Sequence, residues 1–489
     1  MIGKLVLFGA TGDLAGRYVL PALARLHAAR GLPGRFTVVA AAPEDWDDER
    51  FRRHAAERLD EHAPDVPTSA REALRRPLRY RRIDFDNLAS VAAAVTAVDD
   101  GAAAAGPVAV YLALPPGVFP VAVTALGAVG LPPGSRIVLE KPFGEDLDSA
   151  VALNELLATV PGASGEQAVF RVDHFLGLAT VQNLLGVRLA NRVVEPVWNS
   201  AHIEQIDIVW EESLALEGRA GYYDRAGQLK DMIQNHLLQI MCLVAMEPPI
   251  SLGERDLRDR KLDVLRSIRP LTRDQVTRQT RRARYTAGRI GERAVPAYVE
   301  EDGVDPARET ETFAEVTLEL DSWRWAGTPF RLRTGKGLGR DRKEVVVRFR
   351  PVPQLLFGNT DAPAPHANEL RIGLDVDEPE DLVLRLTGGG AGTSPRFIPL
   401  TLTAQLPSPE LPAYSRVLLD ILEGDSTLSI RGDEAEQAWR VVTPVLQAWA
   451  DGAVPLLEYS AGSAGPSALS VEGPAEPAAS AGSCRHRPG

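Results

Sequence analysis

The stretch that most constrains the fold is the beginning of the chain, KLVLFGATGDLAG (residues 4–16). An apolar run ends at Gly9, a second glycine follows at Gly12, and beyond it Leu14, Val19, Leu23 and Leu26 recur at helical spacing. Strand, tight turn and helix in that order exclude most folds. A strand without a polar face must be covered on both sides, which a parallel sheet with helices on each face provides. Three more apolar runs repeat the theme, FTVVAAA (36–42), PVAVYLALPP (107–116) and SRIVLEKPFG (135–144), with helical stretches between them. This part of the chain is read as α/β, a doubly wound parallel sheet. Such sheets bind ligands beyond the carboxyl ends of their strands, where Gly9, Pro43, Pro115 and Lys141 fall.

From about residue 200 the pattern changes. AHIEQIDIVWEE, ETFAEVTLEL, PFRLRTG, KEVVVRFR, DLVLRL and FIPLTLTAQL are alternating or β-rich without a helix after each, and they predict a large, mainly antiparallel sheet. Helical stretches over 224–246 and 412–424 interrupt it. The expected organisation is a dinucleotide-binding unit over 1–170, a β+α unit over 171–460 and a disordered Gly/Ala/Ser/Pro tail over 461–489. The fold class is α/β plus α+β.

A net charge of −12 gives no cationic footprint for nucleic acid or an anionic membrane. The apolar start is too short for a signal peptide or a membrane span. Two cysteines, Cys242 and Cys484, make neither a disulfide framework nor a metal cluster, so the reading is a reducing cytoplasm and no metal. A small-molecule partner fits this charge better than a polyanion.

The turn GATGDLAG (9–16) brings glycines to a helix N-terminus, where free N–H groups and the dipole favour a phosphate. At the end of the second strand stand Pro43, Glu44 and Asp45, with no arginine until Arg50. An acid there accepts from a ribose 2′-hydroxyl, whereas a 2′-phosphate wants arginine. The same acids would also serve as caps for the helix that follows. EKPFG (140–144) puts Lys141 at a strand end facing the same crevice. In DMIQNHLLQ, His236 falls on the side formed by Leu229, Met232, Ile233, Leu237, Ile240, Met241 and Val244, with Asp231, Gln234 and Asn235 clustered beside it. A histidine base oriented by an aspartate is what hydride abstraction from an alcohol requires, and Asp173 in RVDHFLGLA (171–179) is a candidate orienter.

GATGDLA, YLALPP, EKPFG, RVDHFLG, TVQNLLGVRLAN, EPVWN, EGRAGYYDRAGQLKDMIQNHLLQ, AMEPP and PFRLRTGKGL follow one another along nearly the whole chain. In these motifs the sequence resembles the glucose-6-phosphate dehydrogenase family. The resemblance implies a Rossmann-like cofactor domain and a β+α domain whose sheet serves dimerisation, giving a homodimer or homotetramer. It also implies oxidation of a pyranose C1 hydroxyl to a 1,5-lactone. By the same resemblance His236 is the general base and Asp173 its orienter, while Lys141, with Pro142 beside it, contacts both cofactor and sugar. His174 meets the substrate phosphate, and Glu212, Asp231 and Lys336 meet the sugar. Gly9, Thr11, Gly12, Asp13, Leu14 and Tyr111 fall on cofactor positions.

The departures are as informative. Where the family reads H-Y-L-G-K-E, this chain has HFLGLA (174–179), so the tyrosine hydroxyl and lysine ammonium that grip the 6-phosphate are Phe175 and Leu178. Each charge-assisted bond lost is worth about 1.5–3 kcal/mol. A hexose without a 6-phosphate, such as a 6-deoxy sugar, is expected, its C6 end facing Phe175 and Leu178. The family's arginine after the second strand is Pro43, followed by Glu44, and the lysine usual in the glycine turn is Gly16, so NAD is expected ahead of NADP. Two alternatives stay open: the family's own substrate with Arg340 or Arg342 replacing the lost charge, and an inactive relative with a binding or regulatory role. GSAGP (462–466) stands where the family has GSWGP.

Overall fold

The computed structural model describes residues 1–97, 106–163, 165–216, 218, 220–353, 367–374, 382–390 and 396–467. Cys484 and residues 468–489 of the expected tail lie outside them. Strands β1 (Lys4–Phe8), β2 (Thr37–Ala42), β3 (Arg79–Arg82), β4 (Ala109–Leu112), β5 (Arg136–Glu140) and β6 (Val169–Val172) form one sheet in the order β3-β2-β1-β4-β5-β6. Every pairing is parallel. The order reverses between β1 and β4, which opens a crevice at their carboxyl ends.

Hydrophobic pattern missed two of these strands. In β3, RYRR, Tyr80 is the single buried residue of an edge strand. In β6, VFRV, the fully buried Arg171 breaks the apolar run and is held by Glu166 at 2.9 Å and Asn154 at 2.6 Å.

The second sheet has nine strands, in the order Arg396–Ala404, Leu382–Gly390, Glu369–Gly373, Arg342–Phe349, Ile203–Glu211, Phe330–Gly335, Phe313–Leu318, Thr280–Thr286 and Leu456–Ser460. It is mainly antiparallel, with two parallel pairings, Phe330–Gly335 on Ile203–Glu211 and Leu456–Ser460 on Thr280–Thr286. Alternation gives it two unlike faces. One carries Ile206, Ile208, Phe330, Leu332, Val345 and Val347 into the main core. The other carries an ion-pair lattice in which Asp207 meets Arg331 at 2.9 Å, Glu315 meets Arg333 at 3.2 Å and Glu369 meets Arg348 at 3.1 Å.

Across the apolar face lies a long helical segment, Ala220–Gln228 running into Leu229–Leu237 and Leu238–Ala245. The sequence predicts one buried side for it; from Met232 to Met246 every residue is buried. It is an internal helix, enclosed on all sides. The helix Ala413–Glu423 returns to the first unit, where Leu418, Ile421 and Leu422 share a core with Leu20 and Leu23.

The expected disorder does not begin at 461. The Gly462 N–H donates to the Gly337 carbonyl at 2.8 Å, and the carbonyls of Ala464 and Pro466 accept from Arg333 at 3.1 and 3.2 Å. Backbone polar groups, to which composition is blind, hold this segment. Among the described residues no helix is long and apolar enough to cross a membrane.

Candidate active site

Asp173 leaves the end of β6 and caps the short turn His174–Gly177, its Oδ1 accepting from the Phe175 N–H at 3.0 Å. The same oxygen meets His236 Nδ1 at 2.6 Å, and both residues are buried. Burial pushes the Asp173 carboxyl up, but His236 and His174 outweigh it and hold it below its ordinary value. Burial likewise pushes the His236 imidazole down, with Asp173 opposing and Lys141 adding. A neutral His236 oriented through Nδ1 can take a proton at its other ring nitrogen.

His236 sits in Leu229–Leu237, which is wound as a π-helix. With bonds running from i to i+5, residues five apart come close to one side. Asp231 and His236 are such a pair, and α-helical spacing does not bring them together. The Lys141 ammonium donates to Asp231 Oδ1 at 2.6 Å and to the Asp231 carbonyl at 2.8 Å. Burial pushes Asp231 up, but Lys141 and Lys336 outweigh it and hold the carboxyl at about 2. Lys336 donates to Glu212 Oε2 at 2.6 Å. Two lysine–carboxylate pairs thus stand beside the histidine–aspartate pair, a constellation suited to a polyhydroxylated ligand whose hydroxyls both donate and accept.

Asp173, His174 and His236 each offer a ligand atom, all within 4.8 Å of one another. The 2.6 Å Asp173–His236 contact is shorter than the roughly 3.4 Å between two donors of one tetrahedral metal site with bonds near 2.1 Å. The arrangement is that of a hydrogen-bonded acid–base pair.

Several expected site residues stand differently. The Phe175 ring lies parallel on His236 with centroids 3.8 Å apart and touches Trp210 at 4.1 Å, so it backs the histidine and is not an open wall. Leu178 is half-buried and packs against the main core at the start of the helix Ala179–Leu189. Arg342 does not join His174. It bonds Glu344 Oε1 at 2.5 Å and approaches Glu211 at 3.9 Å, in the lattice on the opposite face of the sheet. Neighbouring residues of a strand point to opposite faces, which sends Glu212 to the site and Glu211 away from it. Arg340 is exposed in the loop after Lys336.

On the dinucleotide side, Gly9 has φ +75°, and a Cβ there would lie 2.1 Å from the Ala113 carbonyl oxygen, so this turn admits only glycine. Gly12 and Asp13 open the helix, Asp13 pairs with Arg17 at 2.6 Å, and Leu14 packs on the core below. The Thr11 hydroxyl donates to Glu44 at 3.1 Å, tying the glycine turn to the end of β2 beside the exposed Pro43. The cap of the next helix is Asp47, which accepts from the Arg50 N–H at 2.7 Å; Glu44 is not used for it. Tyr111 is buried, its hydroxyl spent on Glu140 at 2.5 Å.

Three residues near the site were not foreseen. Glu140 was visible as a strand end but not as a buried carboxyl, Trp210 was hidden in a strand pattern, and Tyr414 gave no signal because it comes from a distant helix. The Tyr414 ring stacks on His174 with centroids 4.9 Å apart.

The profile of the glucose-6-phosphate dehydrogenase NAD binding domain matches residues 6–183, and that of the C-terminal domain matches residues 185–472. The chain belongs to the glucose-6-phosphate dehydrogenase family. It is 41% identical to the glucose-6-phosphate 1-dehydrogenase of Treponema pallidum over 478 residues, 95% of this chain and 92% of that one. It is 39% identical to the enzyme of that name from Mycolicibacterium smegmatis, covering 94% of each chain. Among solved structures, the Mycobacterium avium glucose-6-phosphate 1-dehydrogenase superposes with a TM-score of 0.81 at 32% identity, over 95% of each chain. A glucose-6-phosphate dehydrogenase bound to glucose 6-phosphate gives 0.82 at 28% identity, over 95% of this chain and 96% of that one. The protein is a sugar dehydrogenase acting on a CH–OH group, with a nicotinamide-dinucleotide domain.

Proposed function

We propose that the chain oxidises the C1 hydroxyl of a pyranose to a 1,5-lactone, preferring NAD and a hexose without a 6-phosphate. His236 takes the hydroxyl proton, Asp173 keeps its ring in register, and Lys141–Asp231 and Lys336–Glu212 bind the sugar hydroxyls. The dinucleotide would be held by the turn Gly9–Leu14, and when bound it supplies the hydride acceptor.

The observation that carries the sugar preference is the state of His174. Its ring neighbours are Phe175, Tyr414 and His236, and burial, joined by His236 and Lys141 and opposed by Asp173, pushes it down to about 3. A neutral imidazole with the Phe175 and Tyr414 rings against it suits an uncharged C6 end better than a dianion. For the cofactor, the carboxylate of Glu44, bonded to Thr11, supports a ribose with a free 2′-hydroxyl.

A second reading, glucose 6-phosphate as substrate, is favoured by the names of relatives up to 41% identical. Initial rates with glucose, 6-deoxyglucose and glucose 6-phosphate, each with NAD and with NADP, separate the two. The proposal expects kcat/KM to be highest with NAD and a sugar lacking the phosphate. A clear preference for NADP with glucose 6-phosphate overturns it.

A further inference from the structure

Tyr414 stands where three parts of the molecule meet. It lies in the first turn of Ala413–Glu423, a helix pressed so closely on the turn His174–Gly177 that a Cβ at Gly177 would come within 2.8 Å of the Ala413 carbonyl oxygen and of Val417. Its ring stacks on His174, with centroids 4.9 Å apart and planes 19° apart. It also stacks on Tyr18, at 4.7 Å and 21°. Tyr18 belongs to the helical turns that follow GATGDLAG. Tyr18, Tyr414 and His174 therefore form a row of rings from the dinucleotide-binding segment to the sugar site.

The Tyr414 hydroxyl adds a second tie. It acts electrostatically on the buried Glu140 carboxyl, which accepts from Tyr111 at 2.5 Å and precedes Lys141 in the chain. One ring thus stacks on both the histidine of the sugar site and the cofactor segment. Flat rings stacked in this way resist tilting.

We propose that Tyr414 is a positioning residue: its ring fixes the tilt of His174 against the dinucleotide-binding segment, and through it the distance between the sugar's C6 end and the hydride acceptor. The inference rests on the reading of His174 as a sugar contact.

The test compares Tyr414→Leu, Tyr414→Phe and His174→Ala, using the sugar that the unmodified enzyme turns over best and recording thermal melting for each. Tyr414→Leu removes the flat ring and is expected to raise the sugar KM about tenfold or more, with a smaller change in kcat. Tyr414→Phe keeps the stack and is expected to stay within about threefold of the unmodified enzyme. A purely structural role would lower the melting temperature and leave the KM of the folded fraction unchanged, and that result overturns the proposal. So does equal damage in the phenylalanine and leucine variants. If His174→Ala leaves the sugar KM unchanged, the reading of His174 itself fails; a rise there without one in Tyr414→Leu sinks the inference about Tyr414 alone. Should the leucine variant not fold, Tyr18→Leu, at a position 39% exposed, removes the outer ring and is expected to raise the sugar KM about threefold. No change there refutes the idea equally.

Discussion

Replacing Asp173 by asparagine tests the acid–base pair directly. The Asp173–His236 contact is 2.6 Å long, both groups are buried, and the carboxylate is held ionised. In the transition state His236 becomes an imidazolium, so the charge-assisted bond strengthens as the reaction proceeds. Asparagine keeps the shape and removes the charge, a loss of about 1.5–3 kcal/mol in that state. At about 1.4 kcal/mol per decade this is a fall in kcat of about 10- to 150-fold. The asparagine amide can also donate to Nδ1, which would leave the proton on the nitrogen that must accept one and lower the rate further. Asp173 raises the His236 pKa, so the variant's histidine titrates lower still, and the acid limb of kcat/KM moves to lower pH. The assay is absorbance at 340 nm with saturating dinucleotide and sugar varied from below to above its KM across a pH series, so that kcat and kcat/KM are both obtained. A fall smaller than threefold in kcat, or an acid limb that moves upward, refutes this account of the base.

Phe175→Tyr combined with Leu178→Lys restores the phosphate-binding residue types and is expected to shift the ratio of kcat/KM toward glucose 6-phosphate by about tenfold or more; an unchanged ratio means C6 does not lie there. Pro43→Arg with Glu44→Ser replaces the carboxylate bonded to Thr11 by a cation, and steady-state rates are expected to move about tenfold toward NADP. Glu140→Gln probes a titration. Burial, aided by Asp173 and opposed by Tyr111, Lys141 and Tyr414, raises this carboxyl from 4.5 to about 7. The native state then holds its proton longer than the unfolded chain does, and stability is lost as pH rises through that window, by about 3 kcal/mol in all. The glutamine variant lacks that loss, so its melting temperature should gain on the unmodified protein between those values. Parallel melting curves would count against a raised Glu140.

Legibility followed burial chemistry. Strands β1, β2, β4 and β5 were plain because they are apolar on both faces, and the alternating strands of the second sheet were plain because one face enters the core. What hid the rest was charge inside strands: buried Arg171 in β6, part-exposed arginines around Tyr80 on the edge strand β3, and in Thr280–Thr286 an Arg282 that is 6% exposed. Asp173, His236, Lys141, Asp231, Lys336 and Glu212 could be carried over from motifs, and they converge. The misplacement of Arg342 came from counting along the chain without assigning strand faces. Phe175 was misjudged because its ring partners, His236 and Trp210, lie on other elements, and the π-helical winding that brings Asp231 beside His236 leaves no mark in a 3.6-residue pattern.

The return of Ala413–Glu423 to the first unit bears on how such a chain can evolve. The Ile2 N–H donates to the Leu422 carbonyl at 2.7 Å, and Leu418 and Leu422 cover the face carrying Leu20 and Leu23. The dinucleotide-binding half is therefore not a cassette that a single crossover near residue 184 could lift out. A chimaera cut there would set a foreign helix on a native surface and a foreign tyrosine on a native histidine. In such an architecture a change of coenzyme comes more readily by point substitution in loops like that of Pro43 and Glu44 than by trading modules, and the discontinuous seam keeps both halves under one shared selection.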